Sequence, residues 1–169
     1  MTYYVKDTST DTIEKAREIA LKRMKSSKYM FDRVSIHDSN GKLYGEVEKS
    51  GKWIMLVRYK PDGTAYFNSL TETGRIKVEN TEKPYSFYYK DRKYTFKSII
   101  EARKSILRFL KYGGYLDVYK TTKTGTYRVQ RVEVQKSGFA YSYIYKGRYL
   151  EYYEIEKNGN MKLKDRRLR

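Results

Sequence analysis

The chain is written twice. Ala16-Arg17 and Leu21 recur 86 residues later as Ala102-Arg103 and Leu107. Lys49-Ser50-Gly51 recurs as Lys136-Ser137-Gly138, Tyr59-Lys60 as Tyr145-Lys146, Gly74 as Gly159, and Lys6-Asp7 as Lys90-Asp91. Self-similarity at a nearly constant offset restricts a chain to architectures made of one unit used again. At 169 residues the chain fits one ordinary domain or two small ones.

Each half opens on a short tyrosine-rich strand, Thr2 to Lys6 and Ser86 to Lys90. A helix follows. Ile13, Ala16, Ala20 and Met24 share a face at helical spacing, as do Ile99, Ala102, Ile106 and Leu110. Asp11, with Glu14 three residues on, reads as the cap of the first helix, and Thr95 as the cap of the second, with Tyr94 stapled onto Ile99. Ser26-Ser27 and Gly113-Gly114 read as the stops. Strands then run Phe31 to His37, Lys42 to Lys49, Lys52 to Tyr59 and Thr64 to Leu70. In the second half they run Tyr115 to Thr121, Tyr127 to Gln135, Phe139 to Tyr145 and Tyr149 to Glu156. Asn40-Gly41, Ser50-Gly51, Thr124-Gly125, Ser137-Gly138, Gly147 and Asn158-Gly159 punctuate them as hairpin turns.

The expected fold is therefore α+β. It comprises two tandem repeats of order β-α-ββββ, each a helix on an antiparallel sheet of about four to five strands, related by a pseudo-two-fold axis. The first repeat covers 1–78 and the second 85–161. A polar linker, 79–84, closes on Pro84, and residues 162–169 form a basic C-terminal tail that reads as a solvated end. At the level of fold alone, with no shared motif, this resembles single-strand-binding modules built from duplicated sheet-and-helix units.

The halves differ in composition. Residues 1–80 hold 15 Lys/Arg against 11 Asp/Glu, whereas 81–169 hold 22 against 9. Tyrosine is skewed likewise, 6 against 14. The net charge of +17 points to a polyanionic partner. Rings stack on unpaired bases while Lys and Arg hold phosphates, so nucleic acid, single-stranded in preference, is the expected partner. The candidate binding residues are Tyr141, Tyr143 and Tyr145 on one strand, Lys146, Arg148 and Tyr149 at the next turn, Arg128 beside them, Arg103 on the second helix, and Arg166 and Arg167 in the tail. The competing reading packs the same tyrosines under the helix as core, or uses them to bind a protein partner. A homo-oligomer is compatible with either.

Enzyme chemistry finds little support. The chain has no cysteine, which excludes disulfides, thiolate zinc sites and cysteine catalysis. His37 is the one histidine, so no His-pair metal site and no Ser-His-Asp triad can be drawn. Neither a Walker-type nor a dinucleotide-type glycine loop occurs. Alternating carboxylates in Glu46-Val47-Glu48-Lys49 and Glu154-Ile155-Glu156-Lys157 leave a metal-dependent nuclease as a lesser reading, with cross-strand ion pairs the simpler one. No catalytic residue, metal ligand or cofactor is therefore assigned. The segment MTYYVKDTSTDT has no apolar leader pattern and Trp53 to Val57, the longest apolar run, cannot span a bilayer, so a cytoplasmic chain is expected without a membrane partner.

Overall fold

A computed structural model describes residues 1–26 and 31–169 and has a mixed α+β fold built from antiparallel sheets and two helices. The chain divides into two compact units, Met1–Glu79 and Asn80–Arg169.

The first unit runs β1 (Tyr3–Val5), β2 (Thr8–Thr10), α1 (Ile13–Ser26), β3 (Phe31–Asp38), β4 (Leu43–Ser50), β5 (Trp53–Tyr59) and β6 (Ala65–Ser69). Its strands lie in the order β6-β5-β4-β3-β1-β2, all antiparallel. Ala16, Ala20 and Met24 of α1 bury against Val5, Val34, Ile36, Val47, Leu56 and Leu70. The helical apolar stripe thus meets the inward-facing residues of four strands and Leu70 just after β6, as the period of each element requires.

The second unit runs β7 (Tyr85–Tyr89), β8 (Arg92–Phe96), α2 (Ile99–Phe109), β9 (Gly114–Thr122), β10 (Gly125–Val134), β11 (Ala140–Lys146), β12 (Tyr149–Ile155) and β13 (Met161–Leu168). The order is β8-β7-β9-β10-β11-β12-β13, again antiparallel. Ala102, Ile106 and Leu110 pack on Phe87, Val118, Val132, Val134, Ala140 and Ile155. Stacked Tyr94 and Phe96 rings and the edge of Phe109 enclose Phe87.

The sheets are larger than the expected four to five strands, for two physical reasons. First, each opening strand is a hairpin. Lys6 has φ 53°, and Lys90 and Asp91 have φ 47° and 60°. Positive φ at both central residues gives the twist that a two-residue hairpin needs; Lys90-Asp91 supplies it at both positions and Lys6 at the first position of its turn, in each case without glycine. Second, the basic tail is strand β13, paired with β12 over its whole length instead of ending free.

The helix caps also differ from expectation. Thr12, not Asp11, accepts the Lys15 N–H through Oγ1 at 3.3 Å, and Asp11 pairs with the Lys15 ammonium. Ser98, in extended conformation, caps α2 by accepting the Glu101 N–H at 3.2 Å. Thr95 and Tyr94 belong to β8, and Tyr94 stacks on Phe87 instead of stapling Ile99. α1 ends at Ser26, and Ser27 lies outside the described residues. No described helix is long and apolar enough to cross a membrane.

Candidate functional site

The register of β11 on β12 sorts the predicted residues onto two faces. Tyr143 opposes Tyr152, Tyr145 opposes Leu150, and Leu150 in turn opposes Arg167 of β13. Ala140 points into the core, so Tyr141, Tyr143 and Tyr145, at odd spacing from it, emerge on the face away from α2. They are not core. Tyr143 and Tyr145 remain 48% and 65% exposed.

On this outer face the rings form a cluster. The Tyr143 and Tyr152 centroids are 5.1 Å apart, and Tyr141 meets Tyr143 edge-on at 5.7 Å. The Tyr141 hydroxyl donates to Glu133 Oε2 at 2.8 Å. That bond to a carboxylate, with burial second, pushes the Tyr141 phenol up to about 12. β10 and β11 pair only at Glu133–Tyr141 and Val134–Ala140, then part. The opening is a cleft of about 410 Å³ lined by Arg128, Arg131, Glu133, Tyr143 and Tyr145. On its other side Tyr143 borders a second cleft of about 240 Å³ with Leu150, Tyr152, Asp165 and Arg167. Tyr143 is therefore a wall between two recesses, with arginines in both.

The opposite face of the same strands carries Lys146, Tyr149, Glu151, Tyr153 and Arg166. Glu151 is fully buried there. It accepts from the Tyr153 hydroxyl, from Lys146 Nζ at 2.9 Å, and from Arg166, whose Nε lies at 2.8 Å. The Tyr153 bond first, and the Lys146 bond next, hold the Glu151 carboxyl down at about 2. Burying a carboxylate is tolerable only when its lone pairs are filled in this way. Arg166 also lies over the Tyr149 ring, 5.4 Å from its centroid.

The structure therefore brings together Tyr141, Tyr143, Tyr145, Arg128 and Arg167 on one face. It places Lys146, Tyr149 and Arg166 on the other, where Lys146 and Arg166 serve Glu151. Arg148 sits exposed in the β11–β12 turn, and its carbonyl accepts the Arg169 N–H. Arg103, read as a phosphate contact, is corrected: it is buried, donating Nε–H to Gly159 O at 2.6 Å and Nη1–H to Gln130 Oε1 at 3.2 Å. A guanidinium consumed by carbonyl acceptors in the core offers nothing to a ligand.

Three residues of the outer face escape the sequence reading. Tyr152 and Arg131 join it only through cross-strand register. Tyr115 lies beneath the Arg131 guanidinium at 4.2 Å. Carboxylates also enter: Asp117 takes a two-pronged contact from Arg131 at 2.8 and 3.0 Å, Asp165 pairs with Arg167 at 2.6 Å, and Glu154 with Lys164 at 3.1 Å. The face is aromatic and amphoteric rather than uniformly basic.

The acidic cluster in the first unit is occupied by its neighbours. Glu46 accepts from Ser35 Oγ at 3.1 Å and from the Tyr59 hydroxyl at 3.2 Å, with Arg33 3.9 Å away. Burial and the nearby Glu46 raise the Glu48 carboxyl. Among the described residues no group of three or more His, Asp or Glu side chains is placed to hold a metal ion. No family model, curated protein or solved structure matches this chain.

Proposed function

We propose that this protein binds single-stranded nucleic acid through the outer face of β10 to β13. The observation that carries the reading is the placement of Tyr143 and Tyr145. Large rings normally leave water, yet these two stay exposed, at alternate positions, where the adjoining strands part to leave recesses on both sides. A base stacked on an exposed ring gains about 1–3 kcal/mol, and arginines within the same clefts suit the flanking phosphates. Arg128 lines the cleft on the β10 side of Tyr143 and Arg167 the cleft on its β13 side, so a cation is available on either flank of the ring. The duplicated scaffold fits a division of labour in which the second copy binds and the first is its structural counterpart.

The test is fluorescence anisotropy with labelled 12-mer oligonucleotides of DNA and RNA. Affinity that falls steeply with salt and is lost in Tyr143→Ala/Tyr145→Ala supports the reading. Absence of binding at low salt overturns it.

A second reading has its own observation. Asp117, Glu133, Glu154 and Asp165 lie among the same tyrosines, and carboxylates repel phosphate. Tyr and Arg set among acidic groups are also the chemistry of protein interfaces. A partner retained after nuclease digestion in a pull-down, and released by the Tyr143→Ala/Tyr145→Ala variant, favours this reading over the first.

A further inference from the structure

The surplus charge of the second unit does not sit with the tyrosines. On the outer face the arginines are paired. On α2 the exposed cations Lys104 and Arg108 are not, and α1 supplies the comparison. In α1, Lys15 pairs with Asp11, Lys22 with Glu18 at 3.1 Å, Arg23 donates to Val5 O and Thr8, and Lys25 donates to Glu72 O. Every outward cation of α1 is satisfied within its own unit.

The corresponding positions of α2 follow from the 86-residue offset and from local geometry. A Cβ on Gly74 would lie 3.2 Å from the Glu18 nitrogen, and a Cβ on Gly159 3.2 Å from the Lys104 nitrogen. Lys104 thus stands where Glu18 does, Arg108 where Lys22 does, and Lys111 where Lys25 does. The Glu18–Lys22 pair of α1 is replaced by two like charges one turn apart. Like charges at that spacing destabilise a helix. Among the described residues neither Lys104 nor Arg108 has an acidic partner. The Gly159 turn sets exposed Lys157 beside one end of this face, and Gly113 approaches the Lys136 backbone at the other. The nearby acids are Glu101, whose carboxylate accepts the Lys97 N–H, and exposed Glu156.

We propose that this outward face of α2, centred on Lys104 and Arg108 and continued by Lys111 in the turn that follows, is a second binding surface, and that its occupant is the phosphate backbone of a nucleic-acid duplex. The charges that oppose helix stability are compensated by an anion from outside the chain. Lys104 and Arg108 stand one turn apart, about 6 Å along the helix, and Lys111 follows in the turn just past its end. A duplex offers one negative charge per ~1.7 Å of its axis, with its bases hidden, and so needs cations without a stacking cleft. The proposal stands apart from the single-strand reading, because α2 covers the core face of the sheet and the tyrosines lie on the other.

The experiment measures binding of a labelled 20-base-pair duplex and a labelled single strand to the full chain. Lys104→Glu restores the acidic-to-basic order of α1, so the helix should keep or gain thermal stability. Lys123→Glu, in the β9–β10 turn at the far end of β9, is the charge-matched control. The expected result is about tenfold weaker duplex binding in Lys104→Glu, with the slope of log affinity against log salt reduced by about one, and less than twofold change in Lys123→Glu. Single-strand affinity lost only on Tyr143→Ala leaves this proposal intact and assigns the strand to the outer face. Equal duplex affinity in both charge variants overturns it. So does a native chain that binds phosphatidylserine vesicles and not the duplex.

Discussion

Arg103 on α2 and Gly159 in the β12–β13 turn form the contact that locks helix to sheet in the second unit, with the arginine Nε 2.6 Å from the glycine carbonyl oxygen. Gly159 has φ 84°, and a Cβ there would lie 2.5 Å from the Ile100 carbonyl oxygen. Gly159→Ala therefore meets both backbone strain and a backbone clash and should destabilise the chain by at least about 2 kcal/mol. Gly41→Ala, with φ 75° and open space around its Cβ, isolates the strain alone and should cost about 1 kcal/mol. Urea unfolding of the two variants separates the contributions, and equal midpoints would show that the close approach to Ile100 carries no weight.

Arg103→Ala tests the same contact from the helix side. It leaves the Gly159 carbonyl and the Gln130 side chain short of a buried donor, which costs about 1–3 kcal/mol. Under conditions where the variant is fully folded, its affinity for single strands should equal that of the native chain. A large loss of affinity with unchanged stability would instead make Arg103 a ligand contact.

The helices were legible in the sequence because Ala102, Ile106 and Leu110 repeat at helical spacing whatever the sheet does. The hairpins at Lys6-Asp7 and Lys90-Asp91 were hidden because lysine is not a turn signal. Both pairs recur in the repeat, and that recurrence was the available clue. Strand β13 was obscured for a related reason. Residues 162–169, Lys-Leu-Lys-Asp-Arg-Arg-Leu-Arg, read as a solvated tail, yet charge along an edge strand is how a sheet discourages further pairing. Alternation along β11 correctly placed its tyrosines on one face, but the partner of each ring depends on register. Tyr152 beside Tyr143, and Glu133 beneath Tyr141, come from strands distant in sequence. Arg103 and its counterpart Arg17 illustrate the remaining gap. Preservation between copies marks importance without saying whether the role is scaffold or site.

Tyr143→Ala should weaken single-strand binding by about tenfold, the loss of one stacked base. Tyr149→Ala, which removes a ring of similar exposure from the opposite face, should change it by less than about twofold. Both variants keep the core intact, so anisotropy titrations on the pair distinguish the outer face from a general tyrosine effect. Equal losses would refute the face assignment.

Glu151 makes the fold acid-sensitive over a defined window. Its carboxyl is held at about 2 in the folded chain against an ordinary 4.5. A depressed pKa means that the stabilisation is complete above pH 4.5 and is lost as pH falls from there through 2. Glu151→Gln removes that dependence and strands Lys146 and Arg166 without their shared carboxylate, so it should be less stable than the native chain at pH 7. Urea midpoints at pH 7, 4.5, 3 and 2 should converge for the two proteins as the pH drops. Midpoints that run parallel over the whole range would remove Glu151 as the group responsible.

Tyr141 should respond at the alkaline end. Its hydroxyl donates to Glu133, and deprotonation would set a phenolate against that carboxylate, which is why the phenol is pushed from 10 to about 12. Because the folded value is the higher one, the associated stabilisation is present below pH 10 and disappears as pH rises from 10 through 12. Absorbance of tyrosinate near 295 nm should show one phenol of the native chain ionising near pH 12 that is missing from the titration of Tyr141→Phe. Glu133→Gln keeps the ring and its packing but removes the charge, and should move that late phenol back toward 10. If the late step survives in Glu133→Gln, burial and not the carboxylate is its cause, and the link between β10 and the tyrosine cluster is weaker than the 2.8 Å contact implies.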